Sequence, residues 1–345
     1  KAILLNKESE FNAKPELEIY ADDVKCSHGS ASGSLNEDSI FYLMSRGLSH
    51  QQSRELLING FLLDVVEKIT DSEIKNLIKN KYQLNVFNRT ISKTEPLKNK
   101  ATIANSIAEC IKDSEVVITM LSDDQAIEAV MKNPEFINNL KTNTTVIDMS
   151  SIKPKTAKFF SEYFKKRNIN YLDAPVSGGT IGAEEATLAI MVGGEENIFN
   201  QNLDILKCMG NPVLVGPSPS GQIAKLANQI IVGVTIGAVS EAVTLAETTG
   251  ANATKLLKAL TGGWADSKIL QTHGKRMIDK DFTARAKNST HLKDMNNIVE
   301  WGREFNLELP ISKLIQSMYQ NLCNRKLNDK DHSSLYLELE NLNKK

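Results

Sequence analysis

The residue in this 345-residue chain best placed to move a proton is Lys225. The stretch Gly216-Pro-Ser-Pro-Ser-Gly-Gln-Ile-Ala-Lys225-Leu-Ala-Asn228-Gln229 reads as a glycine-rich turn running straight into an apolar-periodic helix. Asn228 and Gln229 follow the lysine at i+3 and i+4, so one ammonium and two side-chain amides share a helical face. A lysine whose pKa is lowered by partial burial can pass a proton to a carbonyl or alkoxide oxygen, and the amides can hold that oxygen in place. A solvated lysine on an ordinary helix is the plain alternative. A second group, Ser177-Gly178-Gly179, offers a hydroxyl and exposed backbone N–H groups, which is what a small carboxylate needs. Its plain alternative is a flexible turn.

The elements that must carry these groups alternate along the chain. Residues 84–87 read as a short buried-type strand ending at Asn88-Arg89-Thr90; 115–121 read as a second strand and 144–149 as a third. Helix-like stretches at 102–111 and 124–130 lie between them, and 190–194 closes the unit as a strand and turn. Strands alternating with helices at this spacing predict a parallel sheet of βαβ units. An arginine just past a strand end, where a dinucleotide-binding unit carries an acidic residue for the ribose 2′-OH, suits a 2′-phosphate instead. Otherwise Arg89 is a solvated loop residue.

After Lys225 the run through Val232, Gly233 and Ile236 to Ala246 is apolar and rich in small residues. It predicts a central helix buried on most sides, in an all-helical domain that packs subunits together. Trp264 and 266–276 read as further helix serving packing, and Asp331 as the cap of a last helix.

Taken together, these motifs resemble the β-hydroxyacid dehydrogenase family over roughly residues 76–345. Its members include 3-hydroxyisobutyrate dehydrogenase and 2-hydroxy-3-oxopropionate (tartronate semialdehyde) reductase. Asp173-Ala-Pro-Val-Ser-Gly-Gly179 matches the family's substrate motif, so Ser177, Gly178 and Gly179 are implied to hold a carboxylate. Lys225 falls on the family's general acid/base, Asn228 on its first amide position, and Gln229 where many relatives have a second Asn. His291-Leu-Lys293-Asp294 resembles the C-terminal signature in which the lysine reaches the nicotinamide. Ser151 matches a position on the nicotinamide side, and Met120 and Leu121 the loop along the dinucleotide. Asn88, Arg89 and Thr90 complete the implied cofactor-binding set. Ala286 departs from the pattern, since relatives often carry an aromatic residue there.

The resemblance implies a Rossmann-like parallel sheet over 76–211 and a helical substrate and dimerisation domain over 212–345. It also implies hydride transfer between NADP (or NAD) and a small hydroxy acid or its semialdehyde, no metal, and a homo-oligomer. One part is missing. A dinucleotide fold opens with a strand and a GxGxxG turn whose backbone N–H groups receive the pyrophosphate. No GxGxxG occurs before Gln83, and His28-Gly-Ser-Ala-Ser-Gly33 has the wrong spacing. The sheet is therefore expected to be truncated, with neighbouring strand edges unpaired and NADP binding weak or absent.

Residues 1–75 have a different character. Short apolar runs at 2–5 and 17–20 predict two strands, and 37–46, 49–66 and 72–80 carry helical periodicity. The segment Glu16-Leu-Glu-Ile-Tyr-Ala-Asp-Asp-Val-Lys-Cys26-Ser-His28, with Phe41-Tyr-Leu-Met-Ser-Arg-Gly after it, resembles the C-terminal end of the SufB/SufD scaffold of iron–sulfur cluster assembly. That resemblance implies a partner, the ATPase subunit of the same system, and places a functional histidine at His28. A Cys-x-His pair on its own is more often structural. Asn76–Tyr82 fits the end of the dehydrogenase family's first helix and the scaffold-like helix equally well. Two unrelated coding segments, joined near this stretch in the genome or in sequence assembly, account for both resemblances.

Composition narrows the classes. A formal net charge of −1 gives no electrostatic case for nucleic acid or an anionic membrane. Cys26, Cys110, Cys208 and Cys323 are scattered, without a CxxC pair or zinc-type cluster, and read as reduced thiols of a cytoplasmic protein. No segment reads as apolar enough to span a bilayer, and the first residues lack a signal-peptide layout.

Overall fold

A computed structural model describes residues 2–4, 32–34, 37–46, 49–53 and 82–344. The chain divides into two compact units, Lys1–Leu84 with Leu97–Thr102, and Asn85–Pro96 with Ile103–Lys345. In the first, Ala2–Leu4 (β1) pairs in parallel with Ser32–Ser34 (β2), followed by helix Glu37–Ser45 (α1). The strand expected at 17–20, the histidine-bearing segment around His28, and most of the helical runs at 49–66 and 72–80 lie outside the described residues.

In the second unit, three strands run parallel: Val116–Thr119 (β5), Thr145–Asp148 (β6) and Asn170–Asp173 (β7). Their register aligns Thr119 with Asp148 and Asp148 with Asp173, so the carboxyl ends of all three strands share one row. Val176–Ser177 (β8), Leu188–Gly193 (β9) and Gly210–Gly216 (β10) complete a six-stranded sheet of order β10-β9-β7-β6-β5, with β8 pairing β9. The last part is not parallel to the first: β9 meets β7 and β8 antiparallel. Helix Pro154–Lys165 covers one face, burying Phe160 and Phe164 at i and i+4 against Tyr171 and Val146. Helix Glu196–Lys207 covers the other with Phe199 and Leu206.

Asn85–Val86 (β3) and Thr102–Ile103 (β4) form a separate two-stranded sheet, with the Ala104 N–H donating to the Val86 carbonyl at 2.9 Å. The helix expected over 102–111 therefore starts late, at Ile107–Ile111. Thr102–Ile103 is strand, and the Ser106 side chain caps the helix by accepting from the Glu109 N–H. Among the described residues β5 pairs only with β6, and Ile118 is 41% exposed. In a doubly wound dinucleotide fold the first strand lies between these two groups of strands. The edge left open at β5 is the one its absence would leave.

Helix Ser220–Thr248, called α8 below, is the axis of the helical half. Its apolar positions Ile236, Val239 and Val243 sit in one core with Met295 and Ile298 of helix Asn288–Glu304 (α11) and with Ile315 and Tyr319 of helix Pro310–Asn324 (α12). Gly233 and Gly237 permit that approach: a Cβ at Gly233 would come within 2.6 Å of His291, and one at Gly237 within 2.6 Å of Ile315. This helix corrects the sequence expectation about membranes, because by length and composition it is apolar enough to cross one. Its packing against α11 and α12 accounts for that composition as well as a bilayer would. Trp264 is a second correction. It lies in a turn, fully exposed, and serves no packing here.

Candidate active site

The carboxyl ends of β5, β6 and β7 position part of the candidate groups, as expected for an open α/β sheet, and the helical half supplies the rest. Asp148 ends β6 with its carboxylate fully buried. Oδ1 accepts from the Thr119 hydroxyl at 3.0 Å and the Ser150 N–H at 3.0 Å, and Oδ2 from the Tyr171 hydroxyl at 3.3 Å. The Ser150 hydroxyl in turn accepts from the Leu121 N–H at 2.8 Å, tying the loop after β5 to the loop after β6. Met120 and Leu121 therefore stand beside Ser151, with the Met120 side chain exposed.

Gln222, in the first turn of α8, is a positioning residue that sequence reasoning missed. It is fully buried. Its side-chain amide donates to the Ser150 carbonyl at 2.8 Å and accepts from the Ile152 N–H at 3.1 Å, while its own N–H donates to Asp173 Oδ2 at 2.9 Å. One residue thus fastens the lysine helix to the ends of β6 and β7. The signal available was an amide three residues before Lys225, on the same helical face. Burial pushes the Asp173 carboxyl up to about 6, against the hydrogen bond from Gln222.

Lys225 Nζ donates to the Val176 carbonyl at 2.8 Å, which brings the ammonium to the residue preceding Ser177. Burial lowers its pKa and the nearby Lys293 adds to that, while Asp294 opposes it. Gly178 (φ 140°) and Gly179 (φ 66°) both take backbone conformations that favour glycine, and they open the helix Gly179–Glu184. Asn228 Nδ2 donates to Gln229 Oε1 at 2.8 Å, and Gln229 Nε2 donates to Asp294 Oδ2 at 2.6 Å. Lys293 Nζ donates to the Ser151 carbonyl at 2.9 Å and pairs with Asp294 at 3.5 Å.

Ser151, the Ser177 turn, Lys225, Asn228, Gln229, Lys293 and Asp294 are therefore linked through one contact network. Asn88, Arg89 and Thr90 form an exposed turn after β3, in which the Asn88 side chain accepts from the Thr90 N–H at 2.9 Å. Among the described residues no hydrogen bond joins that turn to the network. At the rim, Lys153 pairs with Glu300 at 2.8 Å and Lys155 pairs with Glu304, which link the helix after β6 to α11.

Behind α8 lies a knot of imidazoles. The His273 and His332 rings meet edge to face at 4.7 Å between centroids, and His291 stands 5.4 Å from His332 and 4.6 Å from Tyr319. His273, His332 and Asp331 bring their ligand atoms within 4.8 Å of one another. The Asp331 carboxylate is already taken, by Arg276 at 2.8 Å, by Ser333, and by the N–H groups of Arg285 and Ala286, so the knot reads as structural. Burial drives His291 and His332 down to about 3 and lowers His273 as well.

These neutral rings predict acid lability. A histidine depressed to about 3 in the fold contributes stability that is complete above its unfolded value near 6.5 and is lost as pH falls below it. At pH 5 each of the two costs about 2 kcal/mol, while Asp173, raised to about 6, returns roughly 1. A net loss of about 3 kcal/mol between pH 7 and pH 5 is expected in urea melts. A flat midpoint across that range would contradict the burial of these rings.

Residues 72–216 match the NAD binding domain of 6-phosphogluconate dehydrogenase, and 219–339 the NAD-binding domain of NADP-dependent 3-hydroxyisobutyrate dehydrogenase. Residues 1–61 match the SufBD core domain of the SUF iron–sulfur cluster assembly system. The chain is 37% identical over 268 residues to 2-hydroxy-3-oxopropionate reductase of Escherichia coli, covering 77% of this chain and 91% of that protein. It is 32% identical over 270 residues to the mitochondrial 3-hydroxyisobutyrate dehydrogenase of Drosophila melanogaster, covering 76% and 83%. Among solved structures, Mycobacterium tuberculosis 3-hydroxyisobutyrate dehydrogenase with L-serine shares the fold at a TM-score of 0.69 and 24% identity, covering 76% of this chain and 93% of that one. On these matches the chain belongs to the β-hydroxyacid dehydrogenase family of NAD(P)-dependent oxidoreductases.

Proposed function

We propose that the second unit is a reductase for a small semialdehyde carrying a carboxylate, interconverting it with the hydroxy acid at the expense of NADP(H). The observation that carries this reading is the half-buried Lys225 ammonium, held against the carbonyl of the residue before Ser177. Ser177 and the N–H groups of Gly178 and Gly179 receive the carboxylate. Ser151, Leu121 and Lys293 would hold the nicotinamide end of the cofactor, which would supply the hydride for the carbonyl carbon. Lys225 delivers the proton to the carbonyl oxygen, which leaves a hydroxyl on that carbon and a neutral amine on the lysine. Asn228 and Gln229 stand one turn further along α8, on the same helical face as the lysine, and complete the substrate side of the site. The residues present fit the nicotinamide end of the cofactor. Arg89 and its neighbours suit a 2′-phosphate, whereas the glycine turn for the pyrophosphate is absent from the sequence before Gln83.

The chain as it stands therefore binds NADPH weakly. NADPH-dependent reduction of 2-hydroxy-3-oxopropionate at millimolar cofactor tests the reading, and no turnover at any cofactor concentration would overturn it. Exposed Ile223, Ile231 and Leu245 on α8 support a homo-oligomer formed through the helical half. Free Cys110, Cys208 and Cys323 suit a reducing compartment such as the cytoplasm. A second reading, a scaffold module engaging the iron–sulfur system's ATPase subunit through residues 1–75, rests on the match over 1–61. Capture of that ATPase by the purified chain tests it.

A further inference from the structure

The contacts around Asp294 determine which way two amides face. Its side chain is buried beside the Lys293 ammonium at 3.5 Å, and an ionised carboxylate can only accept hydrogen bonds. Gln229 must therefore turn its NH2 toward Asp294, as it does at 2.6 Å. That leaves Gln229 Oε1 pointing back along α8, where it accepts from Asn228 Nδ2 at 2.8 Å. The Asn228 amide is then fixed in turn. Its nitrogen faces Gln229, and its Oδ1, to which no donor among the described residues is bonded, is left over on the helical face it shares with Lys225.

Resting on the reductase reading above, we infer that Asp294, acting through Gln229, is a positioning residue that presents the Asn228 carbonyl oxygen to the substrate. The site thereby selects semialdehydes that carry a hydroxyl on the carbon between the carboxylate and the reacting carbonyl. An acceptor beside the lysine rewards a substrate O–H donor and gains nothing from a methylene in its place. Sites built to hydrogen-bond a hydroxyl reject the analogue lacking it far more strongly than apolar pockets reject an extra group. The inference adds a specificity role to a carboxylate that the motif alone placed on the cofactor side.

The test compares two substrates that differ only in that hydroxyl, 2-hydroxy-3-oxopropionate and 3-oxopropionate, by kcat/KM with saturating NADPH. Their reduced forms, glycerate and 3-hydroxypropionate, are compared by calorimetric binding without cofactor. The wild-type chain should favour the hydroxyl-bearing member by about 30-fold or more. Asp294→Asn, which keeps the shape but lets Gln229 face either way, should cut that ratio at least about fivefold, as should Asn228→Ala. A ratio is independent of the fraction of protein folded, so a merely structural role for Asp294 would not move it. Equal use of both compounds by the wild type, or an unchanged ratio in Asp294→Asn, overturns the inference and leaves the reductase reading intact. Failure of both compounds to react and of both reduced forms to bind overturns the inference and the reductase reading together.

Discussion

A chain rebuilt with a strand, a GxGxxG turn and a complete first helix ahead of Gln83 is expected to bind NADPH at least about 100-fold more tightly than the chain as it stands. The pyrophosphate of a dinucleotide rests on backbone N–H groups at a helix N-terminus, and hydrogen bonds to charged groups contribute about 1.5–3 kcal/mol each. Two such bonds amount to about 3–6 kcal/mol, or roughly two to four decades in Kd. The added strand also has a place to go, since β5 has a partner on one side only among the described residues. Pairing there would remove a row of solvent-facing backbone groups and cover Ile118. Fluorescence titration of both proteins with NADPH is the measurement. Equal dissociation constants would mean that the existing residues already build the phosphate site.

Replacing Lys225 by Met is expected to lower kcat for reduction by about 100- to 10,000-fold, the usual span for a positioned general acid. KM should change only a few-fold, because the substitution leaves intact the Ser177–Gly179 turn proposed to hold the carboxylate. The pH dependence carries a sign. Burial and Lys293 lower the Lys225 pKa below the ordinary lysine value. Reduction needs the protonated amine, so its rate falls as pH rises through that lowered value, and oxidation of the hydroxy acid gains over the same range. Rate–pH profiles in both directions check this. A Lys225→Met chain that kept its rate, or a profile unchanged by the substitution, would remove the lysine from the mechanism.

Much of the site was legible because its residues come in local groups. Lys225, Asn228 and Gln229 lie within two turns of one helix, and Ser177–Gly179 within a single turn, so spacing alone places each set on one surface. Two of the three parallel strands, β5 and β6, were readable for a similar reason: their centres are near-continuous apolar runs such as Val116-Val-Ile and Val146-Ile, whereas the shorter run of β7, Asn170–Asp173, was not read as a strand. What the sequence hid were the long-range ties. Gln222 bonds to Ser150 and Ile152, some 70 residues away, and no periodicity reports such a contact. Asp294 was placed with its neighbour Lys293 on the cofactor side, but its shortest hydrogen bond goes to Gln229 on another helix. The helix expected at 102–111 failed through strand pairing, because Thr102–Ile103 matches β3 before Ser106 can start a helix. Trp264 was misread because a large aromatic ring signals burial only on average.

The ties between the sheet and the helical half differ in kind, and that sets how the cleft can breathe. The Lys153–Glu300 and Lys155–Glu304 pairs at the rim are largely solvated charges, each worth about 0–1 kcal/mol and weakened further by salt. The side-chain bonds of Gln222 to Ser150 and Ile152, deeper in, are uncharged and buried, so ionic strength leaves them alone. Raising the salt concentration is therefore expected to loosen the rim before the floor, because the ion pairs are screened and the Gln222 side-chain bonds are not. Lys225 lies one turn from Gln222 on the same helix, so screening of the rim pairs should leave the lysine's position relative to the ends of β6 and β7 unchanged.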